Sequence, residues 1–180
     1  MPEILSAPGL VLRRCRSSHL VDLMAALTVS QSELARWLPW ADPLPSEQAE
    51  LEFLRSQERA FDNDDDYLYF LFEGDSDELV GGVGLHPKGA QTAEIGYWVR
   101  SDRTGRGYAT VATGALTDAA FRYLHKMDRV IICMDKANHA STAVPPKLGF
   151  ALVGEDLSQR VPSPDRSGHR WMWARQRPPN

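Results

Sequence analysis

The stretch that decides the fold reads Trp98-Val99-Arg100-Ser101-Asp102-Arg103-Thr104-Gly105-Arg106-Gly107-Tyr108-Ala109-Thr110. It passes from a strand pattern through two closely spaced glycines into the longest helical pattern of the sequence. Because glycine has no Cβ atom, backbone N–H groups around Gly105 and Gly107 can converge on a phosphate at the positive end of the helix. We therefore predict a site for a pyrophosphate-bearing cofactor. Arg100, Arg103 and Arg106 add positive charge there, unless they are ordinary solvated loop residues.

The glycine pair does not match two common nucleotide-binding motifs. A P-loop requires Gly-Lys-Ser or Gly-Lys-Thr, and neither tripeptide occurs in the sequence. A dinucleotide fold requires a third glycine where Thr110 stands, and an acidic residue at the end of the next strand. Asp128 precedes that strand and Asp135 comes too late in the sequence. NAD binding and a purely structural turn stay as alternatives.

Before the glycines, the sequence predicts a strand, two helices and a three-stranded meander. Aliphatic residues at helical spacing follow Ser17 and Ser18, and Ser46 can cap a second helix that ends near Ala60. The acidic run at 62–66 is typical of a solvated loop, with attraction of a cationic substrate as the alternative. Strands are expected at 10–15, 67–72, 79–85 and 93–99, with a turn at 74–77.

After the glycines, a broad apolar face from Val111 to Leu124 predicts a long helix packed on the sheet. The apolar run at 130–134 predicts a strand at the centre of the sheet, covered on both faces. A short helix at 138–147, a strand beginning at 150–153 and a last strand at 169–174 complete the pattern. This order indicates a mixed α/β fold rather than a doubly wound parallel sheet.

Composition restricts the function classes. The 180 residues carry 20 Lys and Arg against 24 Asp and Glu, a net charge of -4, which disfavours a general nucleic-acid binder. We expect one domain over 1–180, with a short disordered tail at about 176–180. The sequence has neither an apolar stretch long enough to span a membrane nor a signal-peptide pattern, so a cytoplasmic protein is expected.

The two cysteines and the histidines give no metal pattern. Cys15 and Cys133 lack ligand spacing, and both are expected to be reduced, buried thiols. His86, His125 and His169 also lack ligand spacing, so we expect no metal ion. Cys133 lies inside an apolar run with no cationic neighbour, which favours core packing over an acyl-cysteine role.

Four motifs in order resemble the GNAT superfamily of acetyl-CoA-dependent N-acyltransferases, specifically its RimJ/RimL-type branch. Trp37-Leu38-Pro39-Trp40 is similar to the N-terminal signature of the branch, and Ala93-Glu94-Ile95-Gly96-Tyr97-Trp98-Val99 to its splayed strand. The segment 104–109 is similar to its pyrophosphate loop. The fourth motif is Asn138-His139-Ala140-Ser141 followed by Lys147-Leu148-Gly149-Phe150.

The resemblance implies a mixed, mostly antiparallel central sheet with helices on both faces, and acetyl-CoA as the acetyl donor. It also implies that Asn138 contacts the cofactor arm and that main-chain groups near Val99 bind the pantetheine and the acetyl carbonyl. Thr104 stands where the family usually has Gln or Arg, and Pro145 where many members have a tyrosine that protonates the leaving thiolate. Pro145-Pro146 should also kink or shorten the helix. The expected cofactor-binding residues are Trp98, Val99, Arg100, Thr104, Gly105, Arg106, Gly107, Tyr108, Ala109, Thr110, Asn138 and Ser141.

Acetyl transfer to an amine needs a neutral nucleophile, a stabilised oxyanion and a proton for the departing sulfur. The resemblance makes Ser141 the candidate proton donor, although a helical serine can simply bond its own backbone. Glu94 is a candidate base, directly or through water, because it shares a strand face with Gly96 and Trp98. A structural or substrate-orienting role for Glu94 and water as the proton acceptor stay open.

The sequence says less about the amine that accepts the acetyl group than about the acetyl donor. Trp37 and Trp40, with Glu94, are the expected substrate-binding residues, and the two indoles are alternatively core aromatics. The resemblance favours direct transfer to a protein N-terminus of the ribosomal type. A small amine such as an aminoglycoside, a polyamine or an amino-acid-like compound is the alternative, followed by a non-catalytic acetyl-CoA sensor. A homodimer is a further possibility that the resemblance raises.

Overall fold

The computed structural model describes residues 1–74, 76, 78–157 and 165–179. Asp75 and Asp77 of the expected turn at 74–77 lie outside the described residues, as does Asn180 of the expected tail. The strands are β1 (Ile4–Ala7), β2 (Leu10–Arg14), β3 (Tyr67–Glu73), β4 (Leu79–Pro87), β5 (Thr92–Val99), β6 (Arg129–Asp135), β7 (Ala151–Leu157) and β8 (His169–Gln176). The helices are α1 (Leu20–Trp37), α2 (Glu47–Asp62), α3 (Tyr108–Tyr123), α4 (His139–Thr142) and α5 (Val144–Lys147). Short 3-10 turns span Ser17–His19, Pro39–Ala41 and Ser101–Arg103.

The eight strands form one sheet in the order β1-β2-β3-β4-β5-β6-β8-β7. Neighbouring strands are antiparallel except for β5 and β6, which are parallel. This single parallel pair follows from the chain path, because α3 crosses over between β5 and β6. The structure thus confirms the predicted mixed, mostly antiparallel sheet.

Helices cover both faces of the sheet, as predicted. Alternation along β3 separates the two layers, because Tyr69 and Leu71 belong to one core and Phe70 and Phe72 to the other. The first core includes apolar residues of α3, and the second includes residues of α1 and α2. In the described ranges, no helix is long and apolar enough to cross a membrane.

Local signals account for the starts of α2 and α3, whereas α1 begins after His19 without the serine cap expected from Ser17 or Ser18. The Ser46 hydroxyl accepts a 3.2 Å hydrogen bond from the Ala49 N–H and caps α2, which runs on to Asp62 rather than ending near Ala60. Gly107, at φ 81°, precedes α3 in the left-handed region that glycine adopts without strain.

Two expectations about the sheet are wrong. The apolar run of β6 is not its centre, since β6 is the sixth of eight strands, whereas β4 near the middle is buried from Leu79 to Leu85. The glycines of β4 concealed this burial, and one of them makes room for a neighbour: a Cβ on Gly82 would lie 2.6 Å from Nε1 of Trp98. The segment before residue 10 also forms a strand, β1, which pairs with β2 from Ile4 opposite Arg13 to Ala7 opposite Leu10.

The C-terminal third differs in two places from the elements predicted from the sequence. The helix expected at 138–147 is divided into α4 and α5, each of four residues, as the Pro145-Pro146 pair predicted. Gln176 ends β8, and the Arg177 guanidinium donates to the carbonyls of Phe121, Leu124 and Met127. The ordered chain therefore extends into the tail expected from about residue 176.

Candidate active site

The two parallel strands separate halfway along their length. Their pairing runs from Thr92 opposite Arg129 to Glu94 opposite Ile131, whereas β5 stays paired with β4 as far as Val99. The backbone of β5 beyond Glu94 therefore faces an opening on the side of β6. Backbone N–H and C=O groups along such an edge can bind an extended polar chain.

This opening leads into a cleft of about 1140 Å³. Most of the residues predicted from the sequence line it together: Trp37, Glu94, Trp98, Val99, Thr104, Gly105, Arg106, Gly107, Tyr108, Ala109, Thr110, Asn138 and Ser141. Arg100 and Trp40 are not among the described residues that line the cleft. Trp40 is 47% exposed in the 3-10 turn after α1, so the structure separates it from Trp37.

The glycine loop presents backbone donors at the start of α3. Gly105 and Gly107 both have positive φ, 77° and 81°, which lets the chain turn sharply before the helix. The first intrahelical bond joins the Val111 N–H to the Gly107 carbonyl, so the preceding N–H groups of this turn have no helical partner. These groups and the helix dipole make the loop a suitable site for a pyrophosphate.

The arginines of the loop are already paired with carboxylates. Arg100 contacts Glu78 at 2.8 Å, Arg103 contacts the same carboxylate at 2.9 Å, and Arg106 contacts Glu73 at 2.9 Å. Arg100 is therefore held beside the loop rather than in the cleft. A phosphate at this loop would meet mainly backbone donors. Arg103 and Arg106 line the cleft, and either could exchange its carboxylate for the ligand.

Two side chains of the loop are used structurally. The Tyr108 hydroxyl donates to Glu73 and, together with Arg106, lowers the pKa of that carboxyl. The Thr104 hydroxyl donates to the Ser101 carbonyl at 3.1 Å, which closes the 3-10 turn. The Thr104 side chain thus stabilises the loop by bonding to the main chain of Ser101.

Asn138 and Ser141 lie at the opposite wall, after β6. The side-chain oxygen of Asn138 accepts a 3.1 Å hydrogen bond from the Ser141 N–H and caps α4. Asn138 lines the cleft, and its amide nitrogen can donate to a ligand there. Tyr97 of β5 donates to the Ser141 carbonyl at 2.9 Å, and burial raises the pKa of this phenol, which keeps it protonated.

Glu94 stands where the opening begins. Its carboxylate lies 3.7 Å from the Lys88 ammonium, and its side chain is 26% exposed.

Cys133 of β6 also lines this part of the cleft and is half-buried, so the prediction that it packs in the core is wrong. Burial, with the nearby Glu94, raises the pKa of the Cys133 thiol to about 11, which keeps it protonated and poorly nucleophilic.

Sequence reasoning missed one residue of the cleft and the carboxylate that it contacts. His86 of β4 lines the wall, and its Nδ1 atom lies 2.8 Å and 3.0 Å from the two carboxylate oxygens of Asp66. Three residues of the acidic run are therefore not simply solvated, because Asp62 also binds Arg14 at 2.7 Å and Asp64 accepts from the Tyr67 hydroxyl at 3.0 Å. The hairpin register could have indicated His86, because it stands opposite Glu94. Within the described ranges, no three His, Cys, Asp or Glu side chains group closely enough to hold a metal ion.

The opened parallel pair, the glycine loop and the helices on both faces of the sheet are those of a mixed α/β acetyltransferase domain. The profile of the acetyltransferase (GNAT) domain matches residues 9–151, and the chain belongs to this family. A relative in Bacillus subtilis (strain 168), named "Putative ribosomal N-acetyltransferase YdaF", is 37% identical over 87 residues, which is 47% of this chain and 45% of the relative. The matches thus span about half the length of the curated relatives.

Solved structures are similar over almost the whole chain. A RimL ribosomal L7/L12 α-N-protein acetyltransferase in complex with coenzyme A has a TM-score of 0.87 at 22% identity, covering 97% of this chain and 98% of that one. An acetyltransferase from Salmonella typhimurium that modifies the N-terminal serine of L7/L12 has a TM-score of 0.82, also at 22% identity, covering 97% and 99%. At these identities, the likeness establishes the fold.

Proposed function

We propose that this chain is an acetyl-CoA-dependent N-acetyltransferase that transfers an acetyl group directly to a primary amine, with a protein N-terminus as the acceptor. One observation carries the proposal: the cleft joins the free edge of β5 beyond Glu94 to the glycine loop at the start of α3. A polar arm with a pyrophosphate at one end suits such a cleft. Its volume of about 1140 Å³ leaves room for a second substrate, since ligand pockets commonly measure about 300–1,000 Å³.

Each wall has a part in the proposed reaction. The loop around Gly105 and Gly107 would hold the phosphates, and the β5 backbone from Ile95 to Val99 would align the arm and the acetyl carbonyl. The Ser141 hydroxyl would give its proton to the departing sulfur. This assignment agrees with the placement of Ser141 on the cleft wall and with Pro145 at the position of the usual tyrosine.

Acetyl-CoA is a substrate here, so the protein itself contributes alignment and proton transfer. Holding the amine and the thioester together converts a bimolecular reaction into one within a complex, which lowers the barrier by several kcal/mol. A covalent acyl-enzyme is not needed. The protonated Cys133 supports direct transfer.

A protein N-terminus is the favoured acceptor because RimL-type structures resemble the whole chain and YdaF resembles part of it. Carboxylates on the cleft wall, Glu33 and Glu94, also suit a small cationic amine, which is the second candidate. A homodimer stays a prediction.

Release of thiol from acetyl-CoA tests the proposal. Purified protein is assayed with N-terminal peptides of ribosomal proteins, with the same peptides blocked at the α-amine, and with a panel of polyamines, aminoglycosides and amino acids. Turnover of free but not blocked peptides is the expected result. Selective turnover of a small amine would favour the second candidate. Binding of acetyl-CoA without turnover on any amine would contradict the enzymatic proposal.

A further inference from the structure

The His86 imidazole has a fixed orientation on the cleft wall. Its Nδ1 atom lies 2.8 Å and 3.0 Å from the oxygens of Asp66, whose side chain is only 24% exposed. An ionised carboxylate can only accept, so Nδ1 carries the proton and donates it to Asp66. The lone pair is then on Nε2, and the ring is held in the tautomer that can accept a proton.

The distances from two glycines show where Nε2 lies. A Cβ on Gly84 would stand 2.7 Å from Nε2, and a Cβ on Gly96 would stand 3.8 Å from it. Gly84 and Gly96 are opposite each other in β4 and β5. The ring therefore lies across Gly84 with its Nε2 edge toward Gly96, two residues past the point where β5 and β6 separate. A side chain at Gly84 would occupy the space of the imidazole, whereas a Cβ at Gly96 would make ordinary van der Waals contact with Nε2.

Several charged groups surround this imidazole. Asp66 binds its Nδ1 atom, Glu94 stands opposite in the neighbouring strand, and Lys88 lies 3.7 Å from Glu94. Arg170 of β8 and Cys133 of β6 line the same cleft. Arg170 is bound to Asp156 at 3.0 Å, so its charge is matched by its own partner. Glu94 is likewise associated with a cation, whereas the Nε2 edge of His86 lies toward Gly96, and both residues line the cleft.

We propose that His86 is the general base of the acetyl transfer and that Asp66 is its positioning residue. This inference rests on the proposed function and adds the group that removes the proton of the acceptor. An α-amine is largely protonated at neutral pH, because its pKa is about 8, and must lose a proton to react. The lone pair on Nε2 of a neutral imidazole can accept that proton.

The step balances with the groups already placed. The amine nitrogen forms a bond to the thioester carbonyl carbon, and the bond from that carbon to sulfur breaks with its electron pair going to sulfur. His86 Nε2 takes the ammonium proton before the attack, directly or through one water, and passes it to solvent. As the tetrahedral intermediate collapses, Nε2 takes the second proton that the nitrogen must lose to become an amide. Ser141 gives a proton to sulfur, and solvent restores both side chains. Glu94 then orients the acceptor rather than removing its proton.

Variants of His86 and Asp66, the proposed dyad, separate a catalytic role from a structural one. His86→Gln should lower kcat at pH 7 by about 100-fold while changing the dissociation constant of acetyl-CoA less than twofold. The defect should shrink above about pH 8, where more of the amine arrives neutral. Asp66→Asn should lower kcat by about tenfold and change the pH profile, because the ring loses its fixed tautomer. The control is His125→Gln, an exposed histidine after α3, which should match the wild type.

A second measurement does not depend on turnover. Nitrogen-15 shifts of the wild-type imidazole should show the proton on Nδ1, and Asp66→Asn should reduce that preference. His86→Gln with wild-type kcat and pH profile would overturn the role of His86 while leaving the proposed function intact. A wild-type protein that transfers acetyl to no amine would overturn both, and a proton on Nε2 in the wild type would overturn the dyad.

Discussion

The hydroxyl of Tyr97 donates a 2.9 Å hydrogen bond to the main-chain carbonyl of Ser141. Tyr97 lies on β5 and Ser141 on α4, after β6, so this bond ties together the two walls that separate beyond Glu94. Since α4 has only four residues, its own backbone contributes little to its position. The position of Ser141 therefore depends on Tyr97 and on the Asn138 cap.

Tyr97→Phe should lower kcat by about threefold to tenfold and reduce the free energy of unfolding by about 1 kcal/mol, the usual contribution of a neutral hydrogen bond. Ser141 keeps its side chain in this variant but loses a restraint on its backbone. Steady-state kinetics and urea unfolding measure the two effects. Tyr123→Phe is the matched control, because Tyr123 is 47% exposed at the end of α3. Equal kcat and stability for both variants would contradict the role of the bond.

Ser141→Ala should lower turnover at least tenfold while leaving the affinity for acetyl-CoA nearly unchanged, because the variant removes a proton donor but no backbone contact. Calorimetric titration measures the affinity, and thiol release measures turnover. Thr142→Ala is the control, since the Thr142 hydroxyl turns away to the His139 carbonyl at 3.2 Å. Unchanged turnover in Ser141→Ala would remove this serine from the mechanism.

The sequence predicted the elements whose signals are local. Helical periodicity and the Ser46 cap placed α2, and alternation with turn residues placed β3, β4 and β5 within about two residues. The position of a strand within the sheet is not a local property. The burial of β4 comes from its place between β3 and β5. Three of its residues are glycines, so its sequence is less apolar than that of β6, which was wrongly expected at the centre.

The candidate site also contains residues that the sequence could place and residues that only the fold brings together. The glycine loop and its helix are adjacent in sequence, so the sequence alone predicted that they form one phosphate site. His86 and Asp66 are 20 residues apart and meet only because β3 and β4 form a hairpin that brings Asp66 beside the end of β4. Arg100 was expected to contact the cofactor only because it is close to the glycine loop in the sequence. Its contact with Glu78 is set by the fold and determines which way the guanidinium lies.

Acidification should destabilise the protein through His19. Burial lowers the pKa of this imidazole, which lies between the rings of Phe70 and Phe72 and accepts a 3.2 Å hydrogen bond at Nδ1 from the Arg16 N–H. The folded state thus binds fewer protons than the unfolded state. The stability that this group contributes is present above the unfolded pKa of about 6.5 and is lost as pH falls toward the folded pKa.

Denaturant unfolding between pH 5 and 8 measures the effect. Wild type should lose stability from about pH 7 downward, and His19→Asn, which keeps an acceptor near the Arg16 N–H, should lose less. Carboxylates whose pKa is lowered act in the same direction only below about pH 4.5. His125→Asn should keep the wild-type slope, and an unaltered slope in His19→Asn would exclude His19 as its source.

Arg14 should contribute much more to stability than Arg16, although both bind Glu3. The Arg14 side chain is 8% exposed, contacts Glu3 at 2.9 Å and Asp62 at 2.7 Å, and stacks 4.4 Å above the Phe61 ring. The Arg16 side chain is 46% exposed, so water competes for its contact with Glu3. Arg14→Met should lower the free energy of unfolding by about 2 kcal/mol, below the usual cost of breaking a buried pair because both freed carboxylates can be hydrated. Arg16→Met should stay within experimental error, and equal losses for the two variants would show that Glu3, not burial and stacking of Arg14, determines the effect.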